Sequence, residues 1–257
     1  MSEIFDTVVC GVDDSEAGFL AARLAGRIAS SQGTLALISV ENAKMAVHAG
    51  WQMAAVSSQI ADEARDALER GREAVGPERP VESRLLSGEP IDCLMAEIER
   101  RGASLIVVGS HGFSRPIGMA LGSVATHMLH EAPCSVLLAR APGDVERWPR
   151  SIVVGIDGSP GSRAAVEAAR ELAGRFGARL REVVAADATV DLEAARAVSP
   201  EVEVVPGKPV DELSVLSEFA DVVVVGSRGL KGLRALGSVS ERVAHEARCP
   251  VLVVRSR

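Results

Sequence analysis

The sequence predicts an α/β fold: two tandem Rossmann-like doubly wound domains, each a five-stranded parallel sheet flanked by helices. Three observations predict it. Short apolar runs alternate with amphipathic stretches along all 257 residues, which is the pattern of successive βαβ units. The run Leu105-Ile106-Val107-Val108 leads into Gly109, Gly112 and Gly122-Ser123. The run Val222-Val223-Val224-Val225 leads in the same order into Gly226, Gly229 and Gly237-Ser238. A repeated order of this length marks two copies of one unit.

Thr7 to Val12 is a short apolar run closed by Gly11 and the turn-forming Asp13-Asp14-Ser15, which predicts a buried strand ending in a loop. Ala17, Leu20, Ala21, Leu24, Ala25 and Ile28 recur at three- and four-residue steps and predict a helix, with Gly33 placed to end it. Thr34 to Val40 reads as the second strand. From Glu41 to about Gly76 a Met/Ala/Ser stretch around Trp51 precedes a charged helix, Ser57 to Val75. Pro80 to Leu86 is the third strand, and Pro90 sits where a helix begins, with Ile91, Leu94, Met95 and Ile98 on its buried face. The strand Leu105 to Val108, a glycine loop, a helix from Gly122 to about Glu131 and the strand Val136 to Ala139 complete the unit.

Ala141 to Arg150, with Pro142, Gly143, Trp148 and Pro149, has the composition of a connector, and Trp148 reads as its anchor. The predicted division is therefore a first domain over 1–141, a linker over 142–150 and a second domain over 151–257. Ser151 to Ile156 repeats the first strand and Asp157-Gly158-Ser159 its loop, and the apolar steps recur at Ala165, Ala168, Ala169, Leu172, Ala173 and Phe176. Asp13 aligns with Asp157 at a shift of 144, whereas Gly109 aligns with Gly226 at 117, so about 27 residues are missing from the second copy between its second and fourth strands.

Composition narrows the function. Residues 1–143 hold 12 Lys/Arg against 18 Asp/Glu and residues 144–257 hold 16 against 17, so the halves carry −6 and −1 and sum to −7. Neither half is built to bind nucleic acid non-specifically. Cys10, Cys93, Cys134 and Cys249 lie far apart without paired spacing, which predicts free thiols rather than a zinc knuckle or a secreted disulfide framework. No apolar stretch approaches the roughly 20 residues of a membrane helix, and the start resembles no signal core. These features predict a cytoplasmic location and no membrane partner.

In doubly wound sheets, ligands sit outside the carboxyl ends of strands where the strand order reverses, and both Asp13 and Gly109 follow such ends. Glycine admits close backbone approach, and an opening helix leaves N–H donors unpaired, so Gly109 to Ser123 suits a phosphate. The same glycines could serve only to turn the chain. The chain resembles the universal stress protein family in tandem form, on Gly109-x2-Gly112-x9-Gly122-Ser123 and on Asp13 after the first strand.

The resemblance implies a regulatory, stress-response protein that binds ATP or another adenine nucleotide, with Mg as a possible companion, and that is not an enzyme. It implies that Asp13 and Val40, with Gly11 and Val12, hold the adenosine, and that Gly109, Gly112, Gly122, Ser123, Val124 and Ala125 surround ribose and phosphates. In the second copy the corresponding set is Asp157, Val184, Gly226, Gly229, Gly237, Ser238, Val239 and Ser240. It also implies pairing of the two domains within the chain, through the apolar last strands, and a homodimer.

Two departures stand out. Ala125 occupies a place where many binding members carry a hydroxyl, and the second copy has seven residues, not nine, between its second glycine and Gly237. The second site is accordingly tighter, altered or empty, with Arg228 and Lys231 available to offset phosphate charge. His111 and Arg115 lie where a side chain could reach a γ-phosphate, or are merely solvated loop residues. His127 and His130 have helical spacing for a metal but no converging ligand set. Asp13-Asp14 are consecutive and point apart, so one carboxylate serves the site and the other faces solvent. Cys10 lies near the proposed pocket as a redox candidate or a simple core thiol. No nucleophile–base pair and no Walker sequence occurs, and Asp13-Asp14-Ser15 lacks the Ser-Gly-Gly run of ATP pyrophosphatases. An association protein with degenerate sites, or a weak ATPase, is the alternative function.

Overall fold

The predicted apolar runs form strands whose centres are wholly buried, because βαβ crossovers cover both faces of a parallel sheet. Val8, Val9 and Cys10 in β1 (Thr7–Gly11) and Ile152 to Val154 in β6 (Ser151–Gly155) show the pattern. The computed structural model describes residues 4–42, 53–111, 121–140, 144–187, 190–227 and 237–256. The chain divides into two units, Met1–Met128 and Leu129–Arg257.

In unit 1, β1 is followed by α1 (Glu16–Ile28), β2 (Thr34–Glu41), α2 (Met53–Val75), β3 (Glu82–Ser87), α3 (Pro90–Arg101) and β4 (Leu105–Gly109). The strands lie parallel in the order β3-β2-β1-β4. The order reverses between β1 and β4, so the loops after these two strands diverge around a crevice. Ser15 caps α1 by accepting from the Gly18 amide at 3.0 Å. The helix stops at Ile28 with Ala29 as its cap, so Gly33 is not its C-terminal glycine. Gly33 instead lies so close to the Asp6 carbonyl that a Cβ would meet it at 2.5 Å.

A carboxylate network ties α3 to β3. Glu97, 4% exposed, accepts from Arg84, from Arg100 at 2.7 Å and from Arg101 at 2.9 Å, while Arg101 also makes two bonds to Glu82. Arg100 first, then Arg101 and Arg84, hold the Glu97 carboxyl at about 2, against the burial that pushes it up.

The helix α4 (Ser123–Glu131) carries the chain from unit 1 into unit 2, where β5 (Ser135–Ala139), β6, α5 (Pro160–Phe176), β7 (Arg179–Ala186), α6 (Leu192–Val198), β8 (Glu203–Pro206), α7 (Pro209–Leu216), β9 (Val222–Gly226), α8 (Ser238–Glu246) and β10 (Val251–Val254) follow. Here the order is β5-β10-β9-β6-β7-β8, and reversal falls between β6 and β9. β10 runs parallel to β9 and antiparallel to β5, with Leu137 opposite Leu252. The two apolar last strands thus cover one another, and unit 2 takes in β5 although it closes the first repeat. Arg140, directly after β5, donates to the Ala244, His245 and Ala247 carbonyls at the end of α8. Arg255, after β10, donates to the Leu129 carbonyl on α4. Trp148 is buried and donates from Nε1 to the Asp221 carbonyl at 2.7 Å, anchoring the connector as its composition predicts.

Candidate functional site

Unit 2 holds an open cleft at the carboxyl ends of its central strands, about 530 Å³ with the solvent at its mouth included. Its floor is the ends of β6 and β9, Gly155-Ile156 and Val225-Gly226. Val183 and Ala185 of β7, Val190, and Pro209 with Leu213 of α7 supply apolar walls. Asp157, Ser159 and Ser162 on one side and Val239 and Ser240 on the other supply polar ones. A mostly apolar concavity with a few convergent polar groups is the ordinary form of a small-molecule site.

Local chemistry sets each polar group. Gly158, with φ at +81°, turns the chain under α6, where a Cβ would run into Ala194. Asp157 then accepts from the Ser159 amide at 3.0 Å, and Ser159 Oγ accepts from the Ser162 amide at 3.1 Å to cap α5. Opposite, the Gly237 carbonyl takes the Glu241 amide, so α8 begins at Ser238 and leaves the amides of Ser238, Val239 and Ser240 without intrahelical acceptors. Such an end carries roughly half a positive charge. The Ser240 hydroxyl donates to the Gly226 carbonyl at 2.7 Å, fastening α8 to the end of β9.

Unit 1 assembles the same parts differently. Asp13 is folded back over α1: its Oδ1 accepts from the Ser15 hydroxyl and sits where any side chain at Gly18 would have to go. Asp14 points the other way and pairs at the surface with Arg70 of α2 at 2.6 Å, and that guanidinium lies 4.0 Å over the Phe19 ring. The Gly122 amide donates to the Ser110 carbonyl at 2.9 Å and the Gly122 carbonyl takes the Thr126 amide. Gly122 is therefore a helix cap whose own N–H is taken, and the open amides are those of Ser123, Val124 and Ala125. His111 turns its Nδ1 to the Ser110 hydroxyl at 2.9 Å.

Of the residues singled out in the sequence, Asp157, Gly226, Val239 and Ser240 meet in the unit-2 cleft. Gly11 and Val12 occupy in unit 1 the positions that Gly155 and Ile156 hold there. Val184 is a correction: it is buried on the opposite face of β7 from Val183 and Ala185. The register shows why. Gly11 pairs with Ile38 and Gly155 with Val183, a shift of 145 on this strand, so Val40 corresponds to Ala185. Ala178 is the extra residue, and a slip of one reverses the face. Gly112, Arg115, Gly229, Arg228, Lys231 and Trp51 lie outside the described residues.

The first glycine of each motif also has a packing reason. A Cβ on Gly109 would lie 2.9 Å from the Ala17 carbonyl carbon, and one on Gly226 would strike the Gly161 backbone. Sequence reading missed Ser159, Ser162, Val190 and Leu213. The Ser-Pro start of α5 was available as a capping signal, whereas the placement of Val190 depends on the shortened crossover. The Cys10 thiol is wholly buried and burial pushes its pKa up, so it is a core residue. His130 lies 3.5 Å from Glu241, and among the described residues no three His, Cys, Asp or Glu side chains gather as a metal set.

Comparison with known proteins gives a consistent picture. The family model described as the universal stress protein family matches residues 5–140 and 182–255. A universal stress protein of Mycobacterium tuberculosis is 34% identical over 225 residues, covering 74% of this chain and 75% of that protein. Another from the same organism is 29% identical and covers 96% of each. The crystal structure of a universal stress protein from Archaeoglobus fulgidus superposes with a TM-score of 0.74 at 23% identity, over 97% of this chain and 96% of that one.

Proposed function

We propose a function that proceeds from one premise, that the chain belongs to the universal stress protein family: it is a regulatory protein that binds an adenine nucleotide and transmits occupancy to a partner, with no turnover of its own. The observation that carries this reading is the unit-2 cleft, where a carboxylate, an opening helix and an apolar wall converge at the strand-order reversal. The apolar wall suits a purine, Asp157 suits acceptance from ribose or amino donors, and the α8 amides suit a phosphate. Unit 1, with the full nine-residue spacing, is the second site of this reading, and ATP is its ligand. Asp157 is one carboxylate, too few for a protein-held magnesium site, so magnesium enters as the nucleotide's own counter-ion.

The reading includes a cytoplasmic location and association of whole chains as homodimers. No helix among the described residues is long and apolar enough to cross a membrane. Chromatography and mass spectrometry of the small molecules released on denaturing the purified chain test the central point. One or two adenine nucleotides per chain are expected. Finding none, together with no thermal shift at about 100 times a micromolar dissociation constant, where roughly 2.7 kcal/mol of stabilisation is due, overturns the reading in favour of a protein that acts by association alone. Light scattering across a concentration series tests the homodimer separately.

A further inference from the structure

The helix whose start lines the unit-2 cleft is held at its far end by a residue of the first copy. α8 has nine residues, too few for much stability of its own, so it takes its position from its attachments. At its start the Ser240 hydroxyl grips the Gly226 carbonyl. At its end the Ala247 amide closes on Val243, and the carbonyls of Ala244, His245, Glu246 and Ala247 are left without intrahelical donors. The Arg140 guanidinium donates to three of them, those of Ala244, His245 and Ala247. Burial pushes the Arg140 pKa down, and no described carboxylate pairs with it. The undescribed residues of unit 2, 141–143, 188–189, 228–236 and 257, include no acid either. Its charge is therefore met by the negative end of α8.

The device recurs in the other copy. Arg255 donates to the Leu129 carbonyl near the end of α4. Arg140 and Arg255 each follow the last strand of their copy and lie 115 residues apart, the interval that also separates Gly122 from Gly237. Each last strand thus ends in a cation on the motif helix of the other copy.

We infer that Arg140 is a positioning residue of the unit-2 cleft: by capping the end of α8 it holds the amides of Ser238, Val239 and Ser240 toward a phosphoryl group. This rests on the reading of the cleft as a nucleotide site. A cation at the end of the helix and an anion at its start are the two charges its dipole favours, so each steadies α8 for the other. The effect is confined to the phosphoryl group. The walls of Ile156, Ala185 and Leu213 lie on other elements, so base and sugar keep their contacts when Arg140 is replaced.

The test titrates the full chain with adenosine and with AMP, which differ by one phosphoryl group, and reads each titration by hydrogen-exchange mass spectrometry. Protection of peptides covering Gly155–Ser162 reports unit 2, and peptides covering Gly11–Gly18 report unit 1. Arg140→Met should raise the AMP concentration that half-protects unit 2 about tenfold, shift that of adenosine less than twofold and leave unit 1 unchanged. Arg140→Lys keeps the cation but lacks the planar fork that spans several carbonyls, and should weaken AMP only about threefold. The Ser240 bond and the Arg248 amide on the Ser217 hydroxyl still hold α8 in both variants. Should Arg140→Met fail to fold, Arg140→Lys carries the comparison of the two ligands.

A purely structural cap would weaken both ligands alike or neither. AMP and adenosine weakened by the same factor, or AMP binding unchanged, therefore overturns the inference and leaves the nucleotide-binding function standing. No protection of unit 2 by AMP or ATP in the unaltered chain overturns the reading of the cleft itself, and the inference with it.

Discussion

The loops after β1 and β6 begin alike, with an aspartate and, two residues on, a serine that caps the next helix. They end differently. Asp13 is drawn back over the first turn of α1, where Gly18 leaves room for it, and α2 reaches the loop through Arg70. At the place of Gly18 unit 2 has Ser162, at the place of Asp14 it has Gly158, and Asp157 stays on the wall of the cleft. A motif residue is thus only as available as its neighbours allow. The repeat with the intact glycine spacing is the one whose aspartate lies back against its own helix.

The sharpest way to break this comparison is to fill the approach between strand and helix in each unit. In unit 2 two glycines meet, Gly226 and Gly161, and a Cβ at either would strike backbone. In unit 1 Gly109 meets Ala17, which already carries a Cβ, and the spacing is wider at 2.9 to 3.1 Å. Gly226→Ala must therefore push α5 away from β9 and should cost about 3 kcal/mol, whereas Gly109→Ala should cost about 1 kcal/mol. Urea unfolding read by hydrogen exchange separates the units. Equal costs would mean that the two approaches relax alike and that the asymmetry has no mechanical content.

Acid sharpens the comparison next. Glu97 belongs to unit 1, and aligning Pro90 with Pro209 puts Leu216 at the matching place in α7. The Glu97 carboxyl sits at about 2 in the folded chain, below its ordinary value, so its contribution is fully present above about pH 4.5 and is lost as pH falls toward 2. Arg84 and Arg100 are partly exposed, which screens the network, so the loss should be about 2 kcal/mol rather than the full shift. Glu97→Gln should cost that amount at pH 7 and about a quarter of it at pH 2.5, where the folded carboxyl is still largely ionised, measured by denaturant midpoints. A gap that stays constant with pH would assign the residue to packing instead.

Much of the fold is legible because it rests on local signals: the strand centres, the Pro90 helix start and the Trp148 anchor all follow from periodicity or composition. What escaped depended on distance. Gly33 stands where a helix end would put a glycine, but its reason is the Asp6 carbonyl, far away in sequence. Val184 was misplaced by one residue because repeat alignment ignores a single insertion that the β6–β7 register exposes at once. The candidate site shows the same split. Asp157, Gly226 and Ser240 could be named from the motif, but the walls from Val190 and Leu213 exist only because the trimmed crossover brings separate elements to one crevice.

The smallest expected effect discriminates between two meanings of one hydroxyl. The motif places a serine at 240, where a phosphate ligand is the obvious reading, and an alanine at 125, where a contact would then be missing. The Ser240 hydroxyl, however, spends its one proton on the Gly226 carbonyl. Ser240→Ala should therefore destabilise unit 2 by about 1 kcal/mol, the ordinary worth of such a bond, while changing the affinity for AMP less than twofold. Ala125 is 1% exposed beneath the start of α4, so Ala125→Ser should be tolerated only if its hydroxyl finds the Gly109 carbonyl, and should leave nucleotide affinity in unit 1 unchanged. A tenfold loss of affinity in Ser240→Ala at undiminished stability would reverse the assignment. The hydroxyl would then be a ligand, and the alanine in unit 1 would mark the weaker site after all.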